Sequence, residues 1–192
     1  MKNHSYVKKI RYAFLLAAVL AVFSGSMTAM AKRVEKGVYP TRRGTILVTE
    51  DWVYRILPTG HAAIVWDKDH VVEAQSQGVI VGKNNWKSER REFYGLTVKK
   101  TTREQDEKAA EWCMRQKGKP YNYNYFDKNT REKFYCSQLV WAAFKDLYNI
   151  DLSDVGWRPG TWSTAVHPME LYTSKETKTI YHFVDKWYRF FG

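Results

Sequence analysis

The chain has 192 residues, 44% hydrophobic and 27% charged, a balance that excludes a disordered polypeptide and leaves a folded protein. Its 31 Lys and Arg against 20 Asp and Glu give a net charge of +11. Because the basic residues are dispersed and follow no DNA- or RNA-binding signature, the charge suits an anionic envelope surface rather than nucleic acid.

Residues Met1 to Ala31 read as a secretory signal: Lys2, Lys8, Lys9 and Arg11 open it, Ala13 to Phe23 is apolar, and Ala29-Met30-Ala31 is a small-x-small cleavage site. The apolar run is short for a bilayer span, so a retained anchor is the lesser alternative and no transmembrane segment is expected after cleavage. Removing four positive charges and no acidic ones leaves +7 on Lys32 to Gly192. That stretch carries neither a linker nor a repeat, so a single domain over residues 32–192 is expected, either secreted or held at the cell envelope.

Lys32 to Arg43 reads as a loose basic lead, and Thr45 to Thr49 as a first strand. Asp51 to Leu57 is ambiguous. The turn Pro58-Thr59-Gly60 delivers the chain into a strand, His61 to Trp66, followed by the polar turn Asp67-Lys68-Asp69 and a second strand, His70 to Ala74. A three-residue loop pairs Trp66 with His70 and sets Glu73 opposite Ala63, on the same face as His61; a loop of two or four residues would put it on the other. Strands at Gly78 to Val81 and Glu92 to Val98 precede a helix, Glu104 to Lys117, with Thr102 as N-cap and Gly118-Lys119-Pro120 as its stop. Tyr121 to Asp127 reads as an irregular, substrate-facing loop. A second helix begins at Cys136 and ends near Tyr148-Asn149, since Leu139, Val140, Ala143, Phe144 and Leu147 repeat at helical spacing. Pro159-Gly160 breaks the next segment, a short helix is expected from Pro168 and a last strand at Thr179 to Val184, and the aromatic, basic tail Asp185 to Gly192 is expected to pack rather than to contact a membrane, being short for an interfacial helix.

The second helix places a thiol at a helix N-terminus, where free backbone N–H groups and the helix dipole favour thiolate. A thiolate nucleophile needs a base, commonly His, and a third group to fix its tautomer. Of His61, His70, His167 and His182, only His61 has a carboxylate, Glu73, plausibly placed on the adjacent strand. The alternative for Cys136 is a structural disulfide with Cys113, since export permits one and the two cysteines make one pair. Against it, Cys113 has a packing explanation on the buried side of its own helix. The sequence has no His-Glu-x-x-His, no paired-cysteine zinc spacing and no phosphate-cradling glycine loop, so neither metal nor cofactor is expected.

The succession Gly44-Thr45-Ile46-Leu47-Val48-Thr49, Pro58-Thr59-Gly60-His61-Ala62-Ala63-Ile64-Val65, Val72-Glu73-Ala74, Gly118-Lys119-Pro120-Tyr121 and Tyr135-Cys136-Ser137-Gln138-Leu139-Val140 resembles the YaeF/YiiX-type permuted papain-like amidases, circularly permuted relatives of NlpC-type cell-wall peptidases. The resemblance covers about Gly44 to Leu171, and the order of the motifs, His before Cys, is its informative part. It implies an α+β papain-like fold, an antiparallel sheet packed against the helix that carries the nucleophile. It also implies Cys136 as nucleophile, His61 as base and then acid, Glu73 as its orienting group, and a tyrosine at the oxyanion site, Tyr121 first and Tyr135 second.

The expected protein is an exported cysteine hydrolase cleaving an amide, in the first place a cell-wall peptide bond, through a thioester. The lecithin-retinol-acyltransferase-like enzymes share the permuted order, so N-acyl amide or lipid cleavage, or acyl transfer, stands beside it. The alternative from another class is an envelope-binding module stapled by Cys113 and Cys136, with Trp157, Trp162, Tyr123 and Tyr125 as its contact surface.

Overall fold

The computed structural model describes residues 33–50, 52–53, 57–58, 60–153 and 165–185. The signal-like segment, Thr59, Pro159-Gly160, Trp157, Trp162 and the tail after Asp185 lie outside the described residues. Residues 35–184 form one compact unit; outside it, Arg33 donates to Asp185 at 3.1 Å.

In chain order the strands are β1 (Val34–Gly37), β2 (Ile46–Thr49), β3 (Trp52–Val53), β4 (Leu57–Pro58), β5 (His61–Val65), β6 (His70–Gln75), β7 (Gly78–Lys83), β8 (Glu92–Val98) and β9 (Thr177–Val184). The helices are α1 (Trp86–Glu89), α2 (Arg103–Arg115), α3 (Cys136–Tyr148) and α4 (Pro168–Thr173). One sheet runs in the order β1-β9-β8-β2-β5-β6-β7, while β3 and β4 pair separately. The pairings of β2, β5, β6, β7, β8 and β9 are antiparallel. The architecture is α+β.

Period-two alternation divides the sheet residues between two faces. Ile46, Val48, Ala62, Ile64, Val72 and Leu96 face α2 and α3, where they pack against Ala109, Cys113, Leu139, Val140, Ala143 and Phe144. Leu47, Ala63, Val65, Val71 and Phe93 face the other way, onto Trp86, Tyr181 and Phe183. Helix α3 is buried from Cys136 through Phe144 on every side, and each fully buried Leu or Phe there contributes about 1.5 to 3 kcal/mol. With both faces covered, the central strands read as near-continuous apolar runs.

The expected lead-in at Lys32 to Arg43 instead contains strand β1, and α1 was not foreseen. Strand β1 lies at the sheet edge with Glu35, Lys36 and Gly37 exposed, so no burial pattern marks it in the sequence. Thr102 caps α2 as expected, accepting from Gln105 N–H while Gln105 Oε1 accepts from Thr102 N–H.

Asp106 on α2 fastens the helix layer to the sheet. Buried at 2% exposure, it accepts from Arg42 (2.8 Å), Thr97 (3.1 Å) and Thr101 (2.6 Å). Asp106→Ala removes the one carboxylate shared by Arg42, Thr97 and Thr101, leaving Arg42 with Thr97 and Thr101 with the Val98 carbonyl, and should cost about 1 to 3 kcal/mol in urea unfolding without changing the denaturant slope.

Candidate active site

The site is assembled where the ladder between β5 and β6 ends. Trp66 N–H donates to His70 (3.0 Å) and Val65 N–H to Thr45 (2.8 Å), so even-numbered residues of β5 direct their N–H toward β6 and odd-numbered ones toward β2. The β5–β6 pairing runs from Val65↔Val71 to Ala63↔Glu73. Beyond it, Ala62 N–H is directed toward the β6 side, and it is among the groups that lower the pKa of Cys136.

Cys136 is the first residue of α3 and is only 8% exposed. Burial opposes its ionisation, but hydrogen bonding and charge from His61, together with the N–H groups of Ala62 and Ser137, outweigh it and hold the thiol below its ordinary pKa. His61 lies at the start of β5, just after Gly60, whose φ of +58° suits glycine; a Cβ there would press on Thr49 O and Pro168.

The hairpin has the three-residue-loop register, and Glu73 pairs with Ala63. Glu73 Oε2 lies 2.5 Å from His61 Nε2, with the carboxylate 5% exposed. With Nε2 so engaged, Nδ1 is the nitrogen left for the hydrogen bond between the ring and Cys136. Burial works against the imidazolium, yet the bonds and charges of Cys136 and Glu73 prevail and push the His61 pKa up to about 9. The resulting charge arrangement is thiolate, imidazolium, carboxylate.

Two further residues shape this group, and sequence reasoning passed over both. Trp86, on α1, stacks on the His61 ring with centroids 5.8 Å apart and planes at 27°. Gly82, on β7, lies under the Glu73 carboxylate, so that a Cβ there would collide with Oε1. Neither has a local sequence signal: α1 is one turn long, and Gly82 matters only through its cross-strand neighbour.

Both candidate oxyanion tyrosines lie near Cys136, in different roles. The hydroxyl of Tyr121 is pushed well up, first by burial, then by the Cys136 charge and a hydrogen bond with Tyr125, so it stays a protonated donor. Tyr121 is held by a parallel bridge to Phe134, with Asn122 N–H donating to Phe134 O (3.1 Å) and Phe134 N–H to Pro120 O (3.1 Å). The Tyr135 hydroxyl is engaged elsewhere, accepting from Val166 N–H at 2.9 Å, and burial pushes its pKa up to about 12.

The remaining histidines stand apart from this group. His70 pairs with Asp67 at 2.9 Å on the exposed hairpin, and His182 with Glu92 at 2.8 Å rather than with Asp185. His167 offers its backbone N–H, not its ring, to Glu170 (3.2 Å).

The disulfide alternative is not formed: both cysteines are free thiols. Cys113 is turned to Leu139 O, 3.6 Å away and one helical turn beyond Cys136, while Cys136 is turned to His61. Fully buried, Cys113 has its pKa raised by desolvation, the opposite of Cys136.

A buried thiol, an imidazole and a carboxylate thus lie in series, contributed by a helix start and two adjacent strands, with His before Cys in the chain. The family model described as permuted papain-like amidase enzyme, YaeF/YiiX, C92 family, matches residues 53–181. The chain belongs to this family. It is therefore a cysteine-dependent amidase or peptidase by membership, and the binding-module alternative is set aside.

The solved structure of metalloprotein YiiX from Escherichia coli O157:H7 is similar at 18% identity, covering 74% of this chain and 97% of that one with a TM-score of 0.55, which supports the permuted fold. No curated protein matches. Among the described residues of this chain, no three His, Cys, Asp or Glu side chains cluster as a metal site, and no helix is long and apolar enough to cross a membrane.

Gly82→Ala should displace the Glu73 carboxylate, because the added Cβ falls on its Oε1. The rate of Cys136 alkylation by iodoacetamide at neutral pH should fall about 10-fold or more, with Cys113 still unlabelled.

Proposed function

We propose that this protein is an exported amidase of the cell envelope in which Cys136, His61 and Glu73 act as nucleophile, base and orienting group. The observation that carries the reading is the chain of contacts Cys136–His61–Glu73 at the open end of the β5–β6 ladder.

In the free enzyme the proton shared by the thiol and the imidazole rests on His61. The Cys136 thiolate attacks the amide carbon, and the carbonyl oxygen becomes an oxyanion. The Cys136 backbone N–H at the helix start and the Tyr121 hydroxyl are the donors proposed to receive it. Collapse breaks the C–N bond, with His61 donating its proton to the leaving amine and the acyl group remaining as a thioester. His61, now neutral, takes a proton from water, whose oxygen attacks the thioester, and Cys136 leaves as thiolate with the imidazolium restored. Glu73 holds the ring through both steps and stabilises its charge.

The proposed substrate is a cell-wall peptide. The signal-like start at Met1 to Ala31 and the +7 charge on the remainder support a location at an anionic envelope surface. A second reading, cleavage of an N-acyl amide or transfer of its acyl group, is favoured by one observation: Tyr123, Tyr125 and Phe126 stand exposed in the loop that follows Tyr121.

Peptidoglycan fragments and N-acyl amides, offered separately and followed by mass spectrometry, test the substrate. The reading expects a new amine and a transient acyl adduct on the Cys136 peptide. Cys136→Ala should form no adduct, and His61→Ala should lower turnover by about 100- to 10,000-fold. Adduct formation from N-acyl amides alone would shift the assignment to the second reading.

The pH–rate profile should be bell-shaped. Its acid limb marks protonation of the thiolate, whose pKa is depressed. Its alkaline limb, near about 9, marks loss of the His61 proton needed by the leaving amine. Sequencing of the exported protein should begin at Lys32; a retained Met1 would replace cleavage by the retained-anchor alternative, and failure to recover the protein outside the cytoplasm would overturn the location.

A further inference from the structure

Gln138 is a fully buried amide on the first turn of α3, and the mechanism above does not use it. Its Nε2 donates to the backbone carbonyls of Lys128 (3.0 Å), Thr130 (3.2 Å) and, at 3.4 Å, Asp127. Its Oε1 accepts from Tyr135 N–H (3.1 Å) and from Asn122 Nδ2 (3.0 Å). Asn122, equally buried, also donates to Asp127 O (2.9 Å) and accepts from Asn124 N–H (3.0 Å). The two amides thus satisfy the inward-facing backbone of a segment that has neither helix nor strand of its own. A buried polar hub of this kind holds one loop geometry, because every alternative strands several donors and acceptors.

What that geometry presents is aromatic. Tyr123, Tyr125 and Phe126 are 67%, 45% and 58% exposed, an unusual density of large apolar surface within four residues. They are contiguous with the nucleophile. Tyr121 packs on Tyr123 at 4.8 Å and bonds Tyr125, Tyr125 packs on Tyr135 at 5.3 Å, and both Tyr121 and Tyr135 feel the charge of Cys136. The hub and the nucleophile are also covalently close, Gln138 being two residues beyond Cys136.

We propose that Gln138, with Asn122, is a positioning residue that fixes the aromatic loop beside Cys136, and that the loop is a specificity element selecting substrates with a flat apolar or aryl group next to the reacting carbon. The inference rests on Cys136 being the reactive thiol. It differs from that reading in predicting selectivity, not reactivity.

The test compares alkylation of Cys136 by N-benzylmaleimide and by N-ethylmaleimide, each rate divided by that for N-acetylcysteine, with iodoacetamide as a small probe of thiolate formation. In the unaltered protein the benzyl reagent should be favoured by about 2- to 10-fold, the range expected of one aromatic contact. Gln138→Met, which keeps the side-chain length but removes the hydrogen bonds, should bring that ratio to about 1, while the pH at which iodoacetamide labelling is half-maximal stays in place. Should Gln138→Met not fold, Tyr125→Ser, at a half-exposed site, should show the same loss of ratio in a protein that remains folded by circular dichroism.

A reactive Cys136 without aryl preference in the unaltered protein overturns the proposal alone. So does a ratio that survives in Tyr125→Ser or in folded Gln138→Met. An iodoacetamide pH midpoint that moves together with the ratio also overturns it, since the hub would then be serving the thiol. A Cys136 that resists iodoacetamide in the unaltered protein overturns the nucleophile reading, and this one with it.

Discussion

The contact between the Cys136 thiol and the His61 imidazole depends on a sheet pairing that stops early. Had the β5–β6 ladder continued past Ala63↔Glu73, Ala62 N–H would have been spent on β6 and would not be available to the sulfur. The interrupted pairing leaves one oriented backbone donor at the strand end, and that donor lowers the pKa of the thiol at the start of α3. A backbone group that would otherwise be unsatisfied becomes part of the electrostatics that favour thiolate.

The electrostatics are cooperative in the same sense. Burial alone would disfavour the charge on Cys136 and on His61, and each offsets that cost for the other, lowering the thiol pKa and raising the imidazole's. The two therefore titrate as a pair. Trp86 and Gly82 act on the unit through shape: the indole backs the imidazole, and the missing side chain at Gly82 makes room for the carboxylate. Cys113, buried in the apolar core with Leu139 O as its hydrogen-bond partner, has its pKa raised by desolvation, as a thiol without a base beside it does.

Much of the arrangement was legible in the sequence because it rests on local rules. The helical spacing after Ser137 placed Cys136 at a helix start and Gly60 marked the turn before His61, whereas the side of Glu73 depended on the loop length, which the observed Ala63↔Glu73 register settles at three residues. The motif order pointed to the permuted family that the chain belongs to. What stayed hidden is non-local. Strand β1 is an exposed edge strand without an apolar stripe, and α1 is too short to show a period. Gln138 reads as an ordinary helix residue in the sequence; its role as a hub depends on carbonyls eight to eleven residues upstream coming within reach. Tyr135, a candidate for the oxyanion, is tied to Val166, a partner 31 residues away that no spacing rule could supply.

The central claim is that Cys136 is a thiolate because His61 and the strand-end N–H make it one. It is tested most directly by alkylating the unreduced protein with iodoacetamide from about pH 5 to about pH 9 and following Cys113 and Cys136 separately by peptide mass, in the unaltered protein and in His61→Ala. The account predicts rapid labelling of Cys136 well below the ordinary thiol pKa of about 8.5, a midpoint that moves upward in His61→Ala, and an inert Cys113 throughout. Labelling of Cys136 only above that pH, or of neither cysteine until a reductant is added, would contradict it.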